Sequence, residues 1–577
     1  MPKGKAGPAH ETQPSLDRGG LPARNAAVWY GDDGYDPVKS GLNGRRMAGA
    51  SFLSGFFRHA EVDEFVALVS GRKEADTVAA RLAETGRGLP LRHVLKSDLE
   101  GIARVGTICY ASPRYDALCW NRQSRDPAAF SIAGITHTTD TKGIMRAWFD
   151  LRAGPQQEWD AVICTSRAVQ ASSLRNIELA DDFLRQRFGG SPPPLPQMPV
   201  IPIGIHCDDF RHDPQARQSL RGRMGWDAND IAVVTVARLL PFGKFDPAPL
   251  FIALQEAQVR IGPRRRLHFI ACGVYGNADC RRVFEHCAAE LMPDVGYHHL
   301  DGSDRELRRE ALSGGDIFTF PIDNTQESFG LAPIEAMAAG LPVVGSDWDG
   351  LRDTISADAG ILVPTRSVPA EHTRPEAEGY LRDTLNYPQY GSRLSCMVEL
   401  DLKAMAQAFA TLAEDADLRR RMGEAGRRRA RMLFDWAAVI PQMQDLWQEL
   451  GRIRQAHRRA AESAFWKTNP IAPLPMDLFA GYPGSVFEDA GTPYAALAET
   501  GRLHRIWQLR RYDQLGRPFE MLKTLEKVFD AIVRRGPAGA SPSQIAAELR
   551  FNPVTVTRCW LFFLKYGLIA PAAPQAG

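Results

Sequence analysis

The chain has 577 residues, of which 44% are apolar, and its formal net charge at pH 7 is +2. This length predicts three or more domains, and the apolar content is that of an ordinary globular protein. The small net charge argues against a bulk electrostatic partner such as DNA. No apolar run in the sequence approaches the length that is needed to span a bilayer.

The beginning of the chain and its cysteines indicate a cytoplasmic protein. Residues 1–25 are rich in Pro, Gly and charge and lack the apolar core of a signal peptide, so we expect a disordered tail. The nine cysteines are scattered, and none forms a Cys-x-x-Cys pair. We interpret them as reduced thiols rather than as disulfides or a zinc site.

Residues 26–205 alternate short apolar runs with amphipathic helical patterns. This rhythm predicts a first α/β domain around a parallel sheet, with its ligands at the carboxyl ends of the strands. The predicted strands lie at 26–30, 65–70, 91–95, 105–110, 131–136, 161–165 and 199–203.

The same rhythm returns after a proline-rich break at 192–196, and it predicts a second α/β domain over 206–435. Its predicted strands lie at 231–237, 266–271, 296–300, 316–320, 342–345 and 361–363. Residues 366–400 show no diagnostic pattern, and we expect them to be irregular.

The stretch from Asp316 to Asp349 carries the main functional pattern. It predicts a strand, a loop containing Glu327, a helix over Leu331–Ala339 and a second strand. The helix start offers unpaired N–H groups to a pyrophosphate, and Gly330 lets an anion approach the backbone. Glu327 and Glu335 are spaced so that both reach the same mouth, where a carboxylate suits ribose hydroxyls. The alternative is an ordinary βαβ unit with surface glutamates.

Glu327-x7-Glu335, followed by Ala336-Met337-Ala338-Ala339-Gly340-Leu341-Pro342-Val343-Val344, resembles the donor-site signature of family 4 glycosyltransferases. These are retaining, metal-independent enzymes of the GT-B architecture, and the resemblance covers about residues 26–450. It implies two Rossmann-like, doubly wound domains, a hinge near 204–210 and helices over 436–465 that cross back onto the first domain.

The resemblance also assigns roles around the donor. It implies that Glu327 contacts hydroxyls of the donor sugar and that Glu335 contacts the ribose. The remaining donor-binding positions of this signature, the last three acting through backbone N–H groups, are Ser328, Phe329, Gly330 and Leu331.

A metal-free transferase needs fixed positive charge at the departing diphosphate. Arg238 and Lys244 follow a predicted strand and match the diphosphate-binding pair of the family; Arg forks onto oxygens, whereas Lys is a point charge. The alternative is a strand-end Arg and a surface Lys. The sequence also contains two Asp-x-Asp triplets, at 347–349 and 415–417. Because such triplets arise easily by chance, we expect no metal and no other cofactor.

The first domain contributes further candidates. His137 follows a predicted strand and matches a family histidine that lines the donor-sugar pocket, and the alternative is a structural histidine. Ser166 matches a family position near the interdomain cleft. Asp140 and Lys142 stand close to His137 in the sequence, where they could meet an acceptor.

The glycine-rich loop over 31–47 matches the family loop that closes over donor and acceptor. Gly44 and Arg45, at the following helix start, would bring N–H groups and a guanidinium to the diphosphate. The alternative is a simple βα loop.

An arginine-rich helical pattern lies within 418–448. We interpret it as a solvated helix face, with contact to anionic lipid or a polyanionic acceptor as the alternative. Its arginines are Arg419, Arg420, Arg421, Arg427, Arg428, Arg429 and Arg431.

The last part of the chain lies outside the resemblance. After a proline-rich linker over 466–518, helices predicted at 519–535, 543–550 and 553–566 resemble a winged helix-turn-helix. A DNA reader needs polar and basic residues on its second helix, whereas this one is mostly apolar. We therefore interpret residues 519–577 as a packing or protein-interaction module, and nucleic acid is not the expected partner.

The resemblance thus implies a retaining, metal-independent glycosyltransferase that moves a sugar from a UDP- or GDP-sugar to an acceptor hydroxyl. The acceptor would be a glycan or a lipid-linked molecule, met in the cytoplasm or at the inner face of the membrane. No nucleophile for double displacement is placed, so the resemblance implies front-face transfer. Two alternatives stay open: a sugar-nucleotide epimerase of the same architecture, and a catalytically silent binding scaffold.

Overall fold

The computed structural model describes residues 23–36, 44–325, 327–460, 469–511 and 520–573. The chain divides into two compact units, residues 1–469 and 470–577. The tail expected over 1–25 lies almost wholly outside the described residues.

The first unit begins with a six-stranded parallel sheet in the order β3-β2-β1-β4-β5-β6. This is the order of the doubly wound dinucleotide-binding fold. Its strands are β1 Ala27–Trp29, β2 Phe65–Val69, β3 Leu91–Leu95, β4 Thr107–Tyr110, β5 Ser131–Thr136 and β6 Ala161–Cys164. Its helices are α1 Asp32–Tyr35, α2 Gly44–His59, α3 Arg72–Glu84, α4 Leu99–Val105, α5 Asp116–Gln123, α6 Lys142–Ala153 and α7 Arg167–Phe188.

A second parallel sheet follows in the order β12-β11-β10-β7-β8-β9, which repeats the same winding. Its strands are β7 Ile231–Val236, β8 Leu267–Gly273, β9 Gly296–Asp301, β10 Ile317–Phe320, β11 Val343–Ser346 and β12 Gly360–Val363. Its helices are α8 Pro214–Met224, α9 Pro247–Ile261, α10 Ala278–Leu291, α11 Arg305–Gly314, α12 Leu331–Ala339 and α13 Leu351–Thr354. Two Rossmann-like domains, as in the GT-B architecture, are therefore confirmed.

The segment after β12 corrects the prediction of irregular structure over 366–400. It contains the antiparallel pair β13 Thr365–Ser367 and β14 Val398–Leu400, with helices α14 Arg374–Leu381 and α15 Tyr387–Ser395 between them. Helix α15 starts at a capping box, in which Asn386 and Gln389 satisfy each other's backbone N–H groups. The strand predicted at 199–203 is also wrong, because the chain forms only isolated bridges there.

Four helical segments complete the first unit: α16 Leu402–Glu414, α17 Ala416–Arg429, a π-helical turn Ala430–Phe434, and α18 Trp436–Ala460. Helix α18 returns to the first domain and packs on α2. There the Trp436 indole donates to Ser51 Oγ at 2.8 Å, and Trp447 meets the ring of Phe56 edge-on at 5.7 Å. The chain thereby ties its second domain back to the first.

Several arginines around α17 hold the fold instead of facing solvent. Arg419 donates to the carbonyl of Ala413, and Arg429 donates to the carbonyls of Asp353 and Thr354. The interpretation of this pattern as a purely solvated face is therefore incomplete.

The second unit has a small core of its own. Its elements are α19 Pro475–Leu478, β15 Tyr494–Ala496, α20 Thr500–Leu509, α21 Leu522–Arg534, α22 Pro542–Leu549, α23 Pro553–Lys565 and β16 Ile569–Pro571, with β15 and β16 paired antiparallel. Leu503, from the predicted linker, is fully buried in the same core as Trp560. Val556, Trp560, Phe562 and Phe563 of α23 form part of this core, whereas Val554 and Leu561 are exposed, so only part of the apolar character of the helix is explained by packing. The winged-helix character of this unit stays a prediction.

Among the residues that the structure describes, no helix has both the length and the apolar character that crossing a bilayer requires.

We predict that Gly55→Ala destabilises the first unit, because α2 lies against the Trp436 ring at this glycine. A Cβ on Gly55 would stand 2.4 Å from Trp436 Cγ. Such overpacking costs about 1–3 kcal/mol, and it opposes the gain of about 1 kcal/mol in helix propensity. Thermal unfolding should show a lower midpoint for Gly55→Ala.

Gly222→Ala is the matched control, because a Cβ on this helical glycine meets nothing within 4 Å. Its midpoint should stay level or rise. Equal midpoints for the two variants would contradict the close packing of α18 on α2.

Candidate functional site

A cavity of about 1070 Å³ lies between the two domains of the first unit. It opens where β7 and β10 end side by side in the second sheet. The winding direction reverses between these two strands, and open α/β sheets bind ligands in the crevice at such a point. Met47, Ala48, His137 and Thr138 line the cavity from the first domain.

The two predicted cations meet in this cavity. Arg238 comes two residues after β7, is exposed and lines the cavity with Lys244. Lys244 forms an ion pair with Glu327, and its ammonium lies 5.0 Å from the centroid of the Phe320 ring. Both positive charges therefore stand at the end of β7, as the sequence predicts.

Glu327 accepts a hydrogen bond within the loop before α12. Its Oε1 accepts a hydrogen bond from the Gly330 N–H at 2.9 Å, so this predicted donor to a diphosphate already has a partner. Gly330 has a φ of +86°, and a Cβ there would stand 2.7 Å from Leu351 Cδ2, so the position requires glycine. Leu331 and Ala332 line the cavity from the first turn of α12, where N–H groups lack intrahelical acceptors.

Ser328 joins the two domains. Its hydroxyl donates to the carbonyl of His137 at 2.8 Å, and its own carbonyl accepts from Ser166 Oγ at 3.0 Å. Phe329 is only 2% exposed and packs edge-on against Phe434 at 5.9 Å. The four predicted residues at 328–331 therefore lie together. The side chains of Ser328 and Phe329 make contacts within the protein that stabilise the fold.

Glu335 lies one turn after Leu331 in α12. Burial raises the pKa of its carboxyl from 4.5 to about 7, and the positive charge of Arg308 opposes this rise. Arg308 comes from α11 and lines the cavity, together with Glu327. Glu327 therefore lines the cavity, whereas Glu335 is not among the described residues that line it and lies within the electrostatic influence of Arg308, which does line it.

The two Asp-x-Asp triplets have structural partners. Asp347 pairs with Arg352 at 2.8 Å, and Asp415 caps α17. Asp349 has a φ of +45°, and its pKa is raised to about 7 by burial and then by the charge of Glu327. Within the described part of the chain, no group of three or more His, Cys, Asp or Glu side chains is placed to hold a metal ion.

Asp140 and Lys142 both contact the second domain, and their predicted contact with an acceptor stays a prediction. Asp140 is buried and accepts hydrogen bonds from Thr325 and Tyr387 of the second domain. Lys142 forms an ion pair with Asp383, also of the second domain. Both side chains therefore connect the domains.

The predicted residues Gly44 and Arg45 start α2, one turn before the cavity-lining Met47 and Ala48. The side chain of Arg45 lies outside what the structure describes.

Arg308 and Tyr387 are among the cavity residues that sequence reasoning missed. Nothing in the sequence separates Arg308 from the other arginines of α11. Tyr387 stands inside Asn386-Tyr387-Pro388-Gln389, where the capping-box pattern with a proline in the first turn could have predicted a helix start.

The fold is that of two Rossmann-like domains with a cavity between them. Residues 233–374, in the second domain, match the family model for glycosyl transferases group 1. The sequence is similar to D-inositol 3-phosphate glycosyltransferase of Corynebacterium efficiens, with 29% identity over 41% of this chain and 46% of that protein.

A second relative is the GDP-mannose-dependent alpha-(1-6)-phosphatidylinositol monomannoside mannosyltransferase of Mycobacterium tuberculosis strain H37Rv. It is 27% identical over 33% of this chain and 49% of that protein. The chain thus spans about half the length of these relatives.

Two solved structures are similar over most of their length. A glycosyltransferase from Rickettsia africae has a TM-score of 0.48 and 12% identity, covering 74% of this chain and 98% of that one. HepE of Anabaena in complex with UDP has a TM-score of 0.46 and 14% identity, covering 73% and 98%.

We predict that the stability of the ligand-free chain depends on pH through Glu335. Its folded-state pKa of about 7 lies above the ordinary value of 4.5, so the folded state binds more protons than the unfolded state between these values. Stability from this group therefore falls as pH rises through that window, by up to about 3 kcal/mol. Glu335→Gln should remove this loss, so its advantage over the wild type should grow from pH 4 to pH 8.

Thermal unfolding midpoints at pH 4, 6 and 8 measure this difference. Glu414→Gln, at an exposed glutamate on α16, is the control and should follow the wild type. A pH-independent difference between Glu335→Gln and the wild type would contradict the raised pKa.

Proposed function

We propose that the chain is a retaining, metal-independent glycosyltransferase of the family 4 type, with a UDP- or GDP-sugar as donor. The observation that carries the proposal is the convergence of Arg238, Lys244 and the start of α12 on one cavity at the ends of β7 and β10. Two fixed cations and a helix N-terminus together suit a diphosphate.

Each part of the donor has a place in this scheme. The diphosphate lies between the two cations and the first turn of α12, where the N–H groups of Leu331 and Ala332 are available. Glu335 binds the ribose hydroxyls, and Glu327 binds hydroxyls of the donor sugar after Lys244 turns to the diphosphate. His137 contacts the sugar from the first domain, near the reacting carbon.

The transfer step follows from this placement. The bond between the anomeric carbon and the diphosphate oxygen breaks, and the acceptor oxygen bonds to that carbon on the same face. The acceptor proton passes to the departing phosphate oxygen. Arg238 and Lys244 stabilise the negative charge that the leaving group gains, which is the task a cation performs in metal-dependent enzymes.

The acceptor in this proposal is a hydroxyl of a glycan or of a lipid-linked molecule. The two relatives support an alcohol acceptor, because the first is named for an inositol phosphate and the second for a phosphatidylinositol monomannoside. We place the reaction in the cytoplasm or at the inner membrane face, which the nine free cysteines support. The 470–577 unit is proposed to bind a protein partner.

A donor screen tests this function. The chain is incubated with UDP-, GDP- and ADP-sugars, with and without EDTA, and release of the nucleoside diphosphate is measured. We expect slow hydrolysis of one UDP- or GDP-sugar at an unchanged rate in EDTA. Activity that EDTA abolishes and manganese restores would overturn the metal-free mechanism.

The same screen separates the alternatives. An epimerase would change the sugar nucleotide without releasing the diphosphate. A silent scaffold with a degenerate site would release nothing and would give no heat with UDP or GDP in calorimetry. Either result would overturn the proposed transfer.

We predict that Arg238→Ala lowers kcat more than tenfold with the donor found in the screen. The guanidinium would stabilise charge that develops only as the bond breaks, so its loss acts on the transition state. Arg421→Ala, at an exposed arginine of α17, is the control and should keep the wild-type kcat. Equal losses in both variants would contradict a specific role for Arg238.

A further inference from the structure

Asp140 is a buried carboxylate held by hydroxyl groups from three separate places. It is 8% exposed and stands just before α6 in the first domain. Its Oδ1 accepts from Thr138 and from Tyr387, and its Oδ2 accepts from Thr325, each at 2.9 Å. Only Thr138 belongs to the same domain, so most of its hydrogen bonding comes from across the cleft.

Asp140 is buried without a cationic partner, because it forms no salt bridge with any described residue. A buried carboxylate is costly unless its oxygens are hydrogen-bonded. Two of its three donors, Thr325 and Tyr387, belong to the second domain, so separation of the domains would remove them. Two hydrogen bonds to the Asp140 carboxylate therefore favour contact between the domains.

Thr325 links Asp140 to the donor loop. It stands two residues before Glu327, in the loop that joins β10 to α12. Further along this loop, the hydroxyl of Ser328 donates to the carbonyl of His137. The first domain therefore holds the loop on both sides of Glu327.

Tyr387 links Asp140 to the segment of α14 and α15. Tyr387 also lines the cavity. The segment is anchored to the second domain, where Ser395 Oγ donates to Asp323 at 2.6 Å. It reaches the first domain at Lys142, whose ammonium lies 4.9 Å from the centroid of the Tyr380 ring.

We propose that Asp140, Thr325 and Tyr387 form an interdomain latch, in which Asp140 is a positioning residue. Closing the latch fixes the Glu327 loop and brings Tyr387 to the cavity wall. The latch thereby couples domain closure to completion of the site. Its role in catalysis rests on the proposed function, whereas its role in closure does not.

Hydrogen–deuterium exchange of the full ligand-free chain tests closure. Peptides covering 131–145 and 317–331 report on the two sides of the latch. Asp140→Ala and Tyr387→Phe should each speed exchange on both sides by about fivefold or more, since a hydrogen bond to a charged group is lost. Thr325→Val should act alike, and Thr325→Ser, which keeps the hydroxyl, should restore protection.

Tyr390→Phe is the matched control. Tyr390 lies in the same helix and stacks on Tyr380 at 4.2 Å, and its hydroxyl donates to no other described residue. It should change exchange less than twofold. Faster exchange on one side only, or an equal effect of Tyr390→Phe, would overturn the latch.

Kinetics tests the coupling to catalysis with the donor from the screen. Tyr387→Phe should lower kcat about tenfold while the Kd for the nucleoside diphosphate changes less than threefold, because the donor binds mainly to the second domain. A lower unfolding midpoint with an unchanged kcat would mean a purely structural role and would overturn the positioning role. A chain inactive in the donor screen would remove the proposed function but would leave the exchange result standing.

Discussion

The adjacency of β7 and β10 is the constraint from which the site follows. These strands are parallel neighbours, yet β8 and β9 wind to one side of them and β11 and β12 wind to the other. The loops after β7 and β10 must therefore diverge at their carboxyl ends and leave a crevice between them. Arg238 stands on one loop and Glu327 on the other. A crevice at this place is therefore a consequence of strand order, and the side chains then decide what it binds.

The charges in the crevice are arranged so that the ligand-free chain tolerates them. Lys244 and Glu327 pair with each other, and Glu327 also occupies the Gly330 N–H. A cluster of unpaired cations would repel itself and destabilise the fold. In the proposed function, an anionic ligand replaces Glu327 as the partner of Lys244, which frees the carboxylate for a neutral hydroxyl. In the ligand-free chain, Glu327 thus neutralises the charge of Lys244.

The sequence could predict those features that depend on residues close together in the chain. The βα rhythm predicted all twelve strands of the two large sheets, because buried parallel strands such as β2 and β6 need continuous apolar runs. The cluster of Glu327, Gly330 and Leu331 was equally readable, since a loop and a helix start keep these residues together whatever the rest of the chain does.

What the sequence could not predict depends on contacts between distant residues. The partners of Asp140 lie 185 and 247 positions further along the chain, and no local pattern marks them. Lys142 and Ser166 were likewise identified as candidate site residues, but the sequence did not predict their contacts with the second domain. In α23 the helix was readable, yet the burial of Trp560 depends on α20 and α21, which supply Leu503 and Phe529 to the same core.

The segment of α14 and α15 shows how such distant contacts change the meaning of a site. Without it, the cavity would be bounded by two sheets and their loops, as in any doubly wound pair. With it, a tyrosine from the second domain closes one wall and bonds to a carboxylate of the first. Because that hydrogen bond exists only when the domains meet, the wall is complete only in the closed form. In the proposed latch, domain closure and the shape of the site are therefore coupled. The hydroxyl groups of Thr325 and Tyr387 shift the equilibrium between open and closed forms towards the closed one.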